Sequence, residues 1–262
     1  MRRLIFLLVA GLCALLPSQV QGQNVKVIAH RGVHTEAPEN SLASLRASQE
    51  LGVWGSEFDI WITRDGECII NHNATFPNDS RVIKESRFMD LADIELPNGE
   101  AVPTFDDYLM EASEHPGINL VCELKRHGSD SLNRRLFDTA WERVTSYGME
   151  GRVVFQTFSY SLCRYAKKTV PQAKVYYLCS KEASLKTADE LVSDGIDGAN
   201  YRAEFWLAHP DWIADFHAKG LGVVVTAQDD PQIQRSLIEA GVDIIATNRP
   251  AELMKLLKEY EK

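Results

Sequence analysis

Eight short strand-like runs alternate with amphipathic helical stretches, and this alternation limits the fold more than any other feature of the chain. The runs are Val25–Ala29, Trp54–Ile60, Asn119–Lys125, Arg152–Thr157, Lys174–Leu178, Ile196–Asn200, Gly222–Ala227 and Asp243–Thr247. Strands that alternate with helices pair in parallel, and eight is the number that closes a (β/α)8 barrel. The sequence therefore predicts an α/β fold of the TIM-barrel type, with an open doubly wound sheet as the structural alternative.

The intervening segments have the periodicity of helices that bury one face. They cover Ser41–Leu51, Phe105–Glu114, Ser131–Tyr147, Tyr160–Thr169, Ala183–Ser193, Pro210–Lys219, Pro231–Ala240 and Ala251–Tyr260. One interruption follows the second strand, where a turn at 64–66 leads into a short extra strand, Glu67–Asn71. The helix-poor stretch after it predicts a small insertion, residues 73–102, that covers one end of the barrel.

The N-terminus has the layout of a secretory signal peptide. Arg2 and Arg3 precede the apolar run Leu4–Leu16, and the small residues Val20 and Gly22 occupy the positions that signal peptidase requires. The run has 13 residues, whereas a membrane-spanning helix needs about 20. We therefore expect no stable membrane insertion.

Cleavage at this point would remove residues 1–22 and leave a barrel domain of residues 23–262, exported to the periplasm or secreted. A lipid anchor would need Cys13 as the modified residue, but Leu12 precedes it and apolar residues continue beyond it. The sequence favours a cleaved signal over a lipoprotein.

The charge of the chain excludes some classes of partner. The 28 Lys and Arg residues against 37 Asp and Glu give a net charge of −9, which becomes −11 when Arg2 and Arg3 leave with the signal. So acidic a chain is a poor match for DNA, RNA or an anionic membrane surface. A small anionic substrate is still compatible, because a few local cations or a metal ion can override the overall field. The sequence does not indicate an oligomeric state.

Four cysteines remain after the signal, and their spacing matches no zinc pattern. They are Cys68, Cys122, Cys163 and Cys179. Export permits disulfides, but three of the four lie in apolar strand-like runs, so the sequence favours free buried thiols and leaves a disulfide open.

Polar side chains gather where the predicted strands end, which is where a TIM barrel places its active site. Glu57 and Asp59 are two residues apart, so both carboxylates lie on one face of their strand. Glu123 stands near the end of the next parallel strand. Three buried acids repel one another unless a cation lies between them, and oxygen ligands favour Ca²⁺ or Mg²⁺. Ion pairs with Arg31 and Lys125 are the alternative.

Two histidines also lie at strand ends beside these acids. His30 follows the first strand and His72 follows the extra strand. A single histidine at such a place is more often structural, but a pair beside carboxylates and cations can supply a base and an acid near neutral pH. The other histidines are predicted to be structural. Asn40 either caps the helix at Ser41 or contacts a ligand.

An ordered series of motifs closely resembles the glycerophosphodiester phosphodiesterase family. The series is His30-Arg31-Gly32, Pro38-Glu39-Asn40-Ser41, Glu57-Phe58-Asp59, Thr63-Arg64-Asp65-Gly66, His72, Val102-Pro103-Thr104-Phe105, Glu123-Leu124-Lys125, Gln156-Thr157-Phe158 and Thr247-Asn248-Arg249-Pro250. It spans nearly the whole chain after the signal.

This resemblance implies a barrel enzyme that hydrolyses glycerophosphodiesters to glycerol 3-phosphate and an alcohol. By the same resemblance, His30 and His72 are the catalytic pair. The metal ligands are Glu57, Asp59 and Glu123. The residues that bind phosphate or support that binding are Arg31, Lys125 and Glu39. A phospholipase of type C or D, and a non-catalytic module that binds phosphoglycerol, are the alternatives.

Two positions depart from the family pattern. Asn73 stands where family members usually have Asp after the second histidine, which affects how His72 is oriented. Thr226 stands where the family often has Trp. Either another aromatic residue, Tyr201, Phe158 or Trp206, fills the space, or the pocket is wider and more polar. We favour the wider pocket, which would accept bulkier head groups.

Overall fold

Nine strands form one sheet in the part of the chain that the computed structural model describes, residues 25–261. They are β1 (Lys26–Ala29), β2 (Gly55–Ile62), β3 (Cys68–Ile70), β4 (Asn119–Leu124), β5 (Val153–Thr157), β6 (Lys174–Cys179), β7 (Gly198–Tyr201), β8 (Gly222–Val225) and β9 (Ile244–Thr247). The proposed signal peptide, with Cys13, lies outside the described residues.

Eight of the strands form a closed parallel barrel. The order runs from β1 through β9, β8, β7, β6, β5 and β4 to β2, and β1 also pairs with β2, which closes the ring. The predicted (β/α)8 barrel is confirmed. The open doubly wound sheet is wrong, because such a sheet leaves two edge strands and does not pair β1 with β2.

Helices follow the strands and cover the barrel. They are α1 (Leu42–Leu51), α2 (Phe105–Ser113), α3 (Asp130–Ser146), α4 (Tyr160–Thr169), α5 (Ala188–Ser193), α6 (Ala203–Ala208), α7 (Pro210–Ala218), α8 (Pro231–Ala240) and α9 (Pro250–Leu257). Helix α6 was not predicted from the sequence. No helix among residues 25–261 is long and apolar enough to cross a membrane.

The apolar residues form two main layers, one inside the barrel and one between the strands and the helices. The inner layer consists of Ile28, Val121, Val154, Tyr176, Val224, Ile244 and Ala246. Phe58 and Ile60 belong to the outer layer. Because side chains alternate along a strand, their neighbours Glu57 and Asp59 face the inside.

The segment after β2 has its own small core. Strand β3 pairs antiparallel with β2, and two short 3-10 helices follow, at Ile83–Glu85 and Phe88–Leu91. Trp61, Ile69, Phe76, Ile83 and Leu91 pack together beneath them. This core holds β3 against β2, so that His72 comes close to the end of the barrel.

The four cysteines of the barrel are free and buried. Cys68, Cys122 and Cys163 lie in the layer between strands and helices, and burial raises the pKa of all three thiols. The expectation of free buried thiols is confirmed for these positions, which lowers their reactivity.

Candidate active site

A cavity of about 220 Å³ lies where the barrel strands end. Its lining includes His30, Arg31, Glu57, His72, Glu123, Lys125, Gln156, Phe158, Asn200 and Thr226. The structure thus brings together six of the eight predicted site residues in one lining. Of the other two, Asp59 is buried against Lys125, and Glu39 contacts Arg31.

Three carboxylates form a compact buried cluster at this cavity. Asp59 and Glu123 are paired in the register of β2 and β4, and Glu57 faces the same side. One oxygen from each of the three lies within 4.8 Å of the others. Lys125 donates from Nζ to Asp59 Oδ1 at 3.1 Å and lies 2.9 Å from Glu123 Oε1. One ammonium group therefore faces two of the three acids.

The electrostatics of the cluster favour a bound cation. Burial raises the pKa of Glu57 well above its usual value, and repulsion from Asp59 and Glu123 adds to the effect. Burial also raises the pKa of Glu123 to about 7, again with repulsion from Asp59, although Lys125 opposes the shift. A hard divalent cation such as Ca²⁺ or Mg²⁺ would relieve this repulsion, and the all-oxygen donor set suits it. The three residues can hold a metal ion.

The turn after β1 aims a backbone donor at the cluster. Arg31 has a φ of 57°, which is left-handed and uncommon for a residue with a side chain. In this conformation its N–H donates to Glu57 Oε2 at 2.9 Å. Gly32 follows with a φ of 78°, and a Cβ there would lie 2.4 Å from Ser44 Oγ, so only glycine fits. The turn fixes where Glu57 points.

Asn40 holds Asp59 rather than capping a helix. Its Nδ2 donates to Asp59 Oδ2 at 2.9 Å, and its Oδ1 accepts from the Asp59 N–H at 3.1 Å. The helix cap is Ser41, whose hydroxyl accepts from the Ser44 N–H. The cap interpretation of Asn40 was wrong, because the left-handed backbone of Asn40, with a φ of 57°, turns its amide toward the barrel.

Asn248 and Asp229 orient His30. The Nδ1 of His30 lies 2.8 Å from Asn248 Oδ1. Asn248 donates from Nδ2 to Asp229 Oδ2 at 2.7 Å, and its backbone N–H donates to Asp229 Oδ1. Since a carboxylate only accepts, the Asn248 oxygen must face the imidazole. His30 therefore donates from Nδ1, and its Nε2 lone pair faces the cavity, 3.9 Å from Glu57 Oε2.

A single residue, Asn73, orients His72. Its Nδ1 lies 3.0 Å from Oδ1 of Asn73. With the amide oxygen as acceptor, His72 also presents Nε2 as its free nitrogen. Burial lowers the pKa of both histidines below 6.5. Asn73, unlike the usual Asp, adds no negative charge that would favour the imidazolium ion.

A chain of polar side chains runs across the cavity to Glu57. Thr226 donates from Oγ1 to Asn200 Oδ1 at 2.9 Å, and Asn200 donates from Nδ2 to Gln156 Oε1 at 2.8 Å. Gln156 Nε2 in turn points at Glu57 Oε1 over 3.4 Å. All three bonds donate in the direction of Glu57, so the chain ends on an amide donor that favours the ionised carboxylate. No sequence pattern indicated this role for Asn200, which ends a predicted strand and belongs to none of the motifs.

The structure places Thr226 in the cavity lining. Of the aromatic residues considered as replacements for a family Trp, Tyr201 and Trp206 stack on each other in the outer layer, with ring centroids 5.0 Å apart. They cannot fill the space. Phe158 lines the cavity instead.

Glu39 lies on the outer side of Arg31. Both of its carboxylate oxygens accept from Arg31 Nη1, at 3.1 and 2.9 Å. It is not among the residues that line the cavity. Glu39 therefore orients the Arg31 guanidinium and does not itself face the cavity.

The chain is similar to known glycerophosphodiester phosphodiesterases. Residues 30–252 match the sequence model of the Glycerophosphoryl diester phosphodiesterase family. A glycerophosphodiester phosphodiesterase from Caldanaerobacter subterraneus is 23% identical over 89% of this chain and 98% of its own. The crystal structure of a glycerophosphodiester phosphodiesterase from Parabacteroides distasonis superposes with a TM-score of 0.86, at 32% identity over 92% of this chain and 99% of that one.

A second solved structure contains a ligand. It is an Oleispira antarctica phosphodiesterase in complex with the product sn-glycerol-3-phosphate. Its TM-score is 0.80 and its identity 22%, over 91% of this chain and 99% of that one. At this identity the likeness shows a shared fold.

Proposed function

This chain belongs to the glycerophosphoryl diester phosphodiesterase family, and we propose that it releases glycerol 3-phosphate and an alcohol by acid–base catalysis with His30 and His72. The observation that carries the proposal is the placement of two imidazoles, each with Nδ1 held by an amide oxygen, around one cavity beside three buried carboxylates. The related phosphodiesterase that binds sn-glycerol-3-phosphate supports the same product.

The residues around the cavity would have different roles in the reaction. Glu57, Asp59 and Glu123 would hold a divalent cation, which polarises the phosphate and offsets its charge when bound. Arg31 and Lys125 would balance the remaining negative charge of the phosphate. The negative charge of a bound phosphate also favours protonation of one of the two histidines. That histidine would then be the acid, and the neutral one would be the base.

The proposed reaction has two steps. One histidine takes the proton of the glycerol 2-hydroxyl, whose oxygen attacks phosphorus, and the other gives a proton to the departing alcohol. The P–O bond to that alcohol breaks, leaving a cyclic phosphate. Water then opens the ring with the histidine roles reversed, yielding glycerol 3-phosphate. Holding the internal nucleophile in place lowers the barrier by several kcal/mol.

We also propose that the enzyme acts outside the cytoplasm after cleavage before Gln23. The basic start, apolar run and small residues of positions 1–22 support this. Cell fractionation with N-terminal sequencing tests it. A mature protein that begins at Gln23 in the exported fraction agrees with the proposal, and an intact Met1 in the cytoplasm contradicts it.

A substrate panel tests the activity itself. Purified enzyme is freed of metal, supplied with Ca²⁺ or Mg²⁺, and given glycerophosphocholine, glycerophosphoethanolamine, glycerophosphoinositol and intact phospholipids, while released glycerol 3-phosphate is measured. The proposal predicts metal-dependent release from the water-soluble diesters. Turnover of intact lipids alone would favour the phospholipase alternative.

A further inference from the structure

A second cavity adjoins the active site on the side of β5 and β6. It measures about 380 Å³ and shares Phe158 and Leu178 with the catalytic cavity. Phe158 follows β5 and is only partly buried, so its ring forms a common wall of the two spaces. We call this second space, lined further by Arg126, Ser180, Lys181 and Ser184, the outer subsite.

The outer subsite has cations without acids. Arg126 follows β4 and Lys181 follows β6, so both lie at the same end of the barrel as the catalytic residues. Within residues 25–261 neither takes part in an ion pair, and no lining residue of the outer subsite is acidic. Glu182 is next to Lys181 in sequence but does not line the space. In a chain of net charge −9, two unpaired cations beside one cavity form a local positive field.

The loop that carries Lys181 is tied to the strands beneath it. Cys179 donates from Sγ to the Lys181 carbonyl at 3.2 Å, and the Tyr177 hydroxyl donates to the Ser184 carbonyl at 3.0 Å. The Tyr201 hydroxyl donates to the carbonyl of Lys186 at 2.9 Å, just beyond. These bonds fix the backbone of the loop, so the floor of the outer subsite exists before a ligand arrives.

We propose that the outer subsite receives the alcohol portion of the substrate and that Arg126 and Lys181 select an alcohol with a second phosphate group. This rests on the proposed hydrolysis of glycerophosphodiesters. With the scissile phosphate beside His30 and His72, the alcohol extends past Phe158, where the seryl hydroxyls can donate to its oxygens. A second phosphodiester there meets both cations and forms charge-assisted hydrogen bonds.

Two substrates that differ only in that second group provide the test. Glycerophosphoglycerol has a neutral alcohol, whereas bis(glycerophospho)glycerol has the same alcohol with a further glycerophosphate, and both release glycerol 3-phosphate. We compare wild type with R126Q/K181Q. The control is K255Q, which removes an exposed cation from the outer helix α9. Circular dichroism confirms that the variants are folded.

The expected result is a higher kcat/KM of the wild type for the bis compound than for glycerophosphoglycerol. R126Q/K181Q should lose roughly tenfold in kcat/KM on the bis compound alone, a modest effect because both cations are exposed to solvent. K255Q should leave kcat/KM unchanged on both compounds. Equal rates on both compounds in the wild type, or an equal loss on both in the double variant, would overturn the selection of an anionic alcohol. Absence of turnover on both compounds would instead overturn the proposed function on which this inference depends.

Discussion

Asp59 and Glu123 are register partners on β2 and β4, and Lys125 contacts the carboxylates of both. Among residues 25–261 no cationic side chain forms a hydrogen bond with Glu57, which faces the Arg31 N–H and the Gln156 amide instead. Lys125 and Arg31, whose Nε lies 3.9 Å from Asp59 Oδ2, offer two positive charges to three carboxylates, so the cluster keeps an excess of negative charge. This excess of negative charge favours the binding of a metal ion.

Metal ions should stabilise the protein more at high pH than at low pH. Burial and mutual repulsion raise the pKa of Glu57, and raise that of Glu123 to about 7. A carboxyl group whose folded pKa exceeds its unfolded value of 4.5 stabilises the fold at low pH, and this stability is lost as pH rises from 4.5 to about 7. Added Ca²⁺ or Mg²⁺ binds the ionised carboxylates and restores the lost stability.

Differential scanning calorimetry at pH 5 and pH 8 measures this effect. We expect the metal-induced rise in Tm to be larger at pH 8 in the wild type and absent at both pH values in E57Q/E123Q. A similar metal-induced rise in the Tm of E57Q/E123Q would mean that the metal binds elsewhere.

Asn40→Ala should weaken metal binding, since Asn40 bonds both to the carboxylate and to the N–H of Asp59. Loss of a residue that orients a metal ligand typically costs about 10- to 100-fold in affinity. Isothermal titration calorimetry with Ca²⁺ or Mg²⁺ measures it. The control is Ser41→Ala, which removes the α1 cap and should cost about 1 kcal/mol of stability without the same loss of affinity. Equal affinities of Asn40→Ala and wild type would contradict the assigned role.

Asn73→Asp should move one limb of the pH profile to higher pH. Burial lowers the pKa of His72, and a carboxylate 3 Å away in place of the amide favours the protonated ring. The limb of kcat/KM that depends on His72 should shift upward by roughly 1 pH unit. This direction holds whether His72 is the acid or the base. An unchanged profile, with Asn73→Ala as the neutral control, would show that His72 does not set either limb.

Thr226→Trp should narrow the range of substrates. Thr226 lines the cavity of about 220 Å³, and an indole there would occupy much of it. We expect kcat/KM to fall for glycerophosphoinositol more than for glycerophosphoethanolamine, while Thr226→Ser keeps both rates and the bond to Asn200. A uniform loss across head groups would mean that the substitution disturbs the polar chain to Glu57 rather than the space for the alcohol.

The sequence was sufficient to predict the barrel and the grouping of its polar strand ends. Period-2 alternation placed Glu57 and Asp59 on one face, and the parallel order brought Glu123 beside them. The contacts that orient these residues could not be predicted from the sequence. His30 and Asn248 are 218 positions apart, and no local pattern links them. The role of Asn40 depends on a left-handed backbone that propensities do not reveal.

Two-histidine catalysis is tested most directly by the rate of glycerol 3-phosphate release by His30→Ala and His72→Ala. Metal-replete enzyme and glycerophosphocholine are followed by ³¹P NMR, which also detects a cyclic phosphate intermediate. Each substitution should lower kcat by roughly 10²-fold or more, the usual scale for acid–base groups, while metal affinity and the folded structure persist. Near wild-type kcat in either variant, or in the double variant, would contradict two-histidine catalysis.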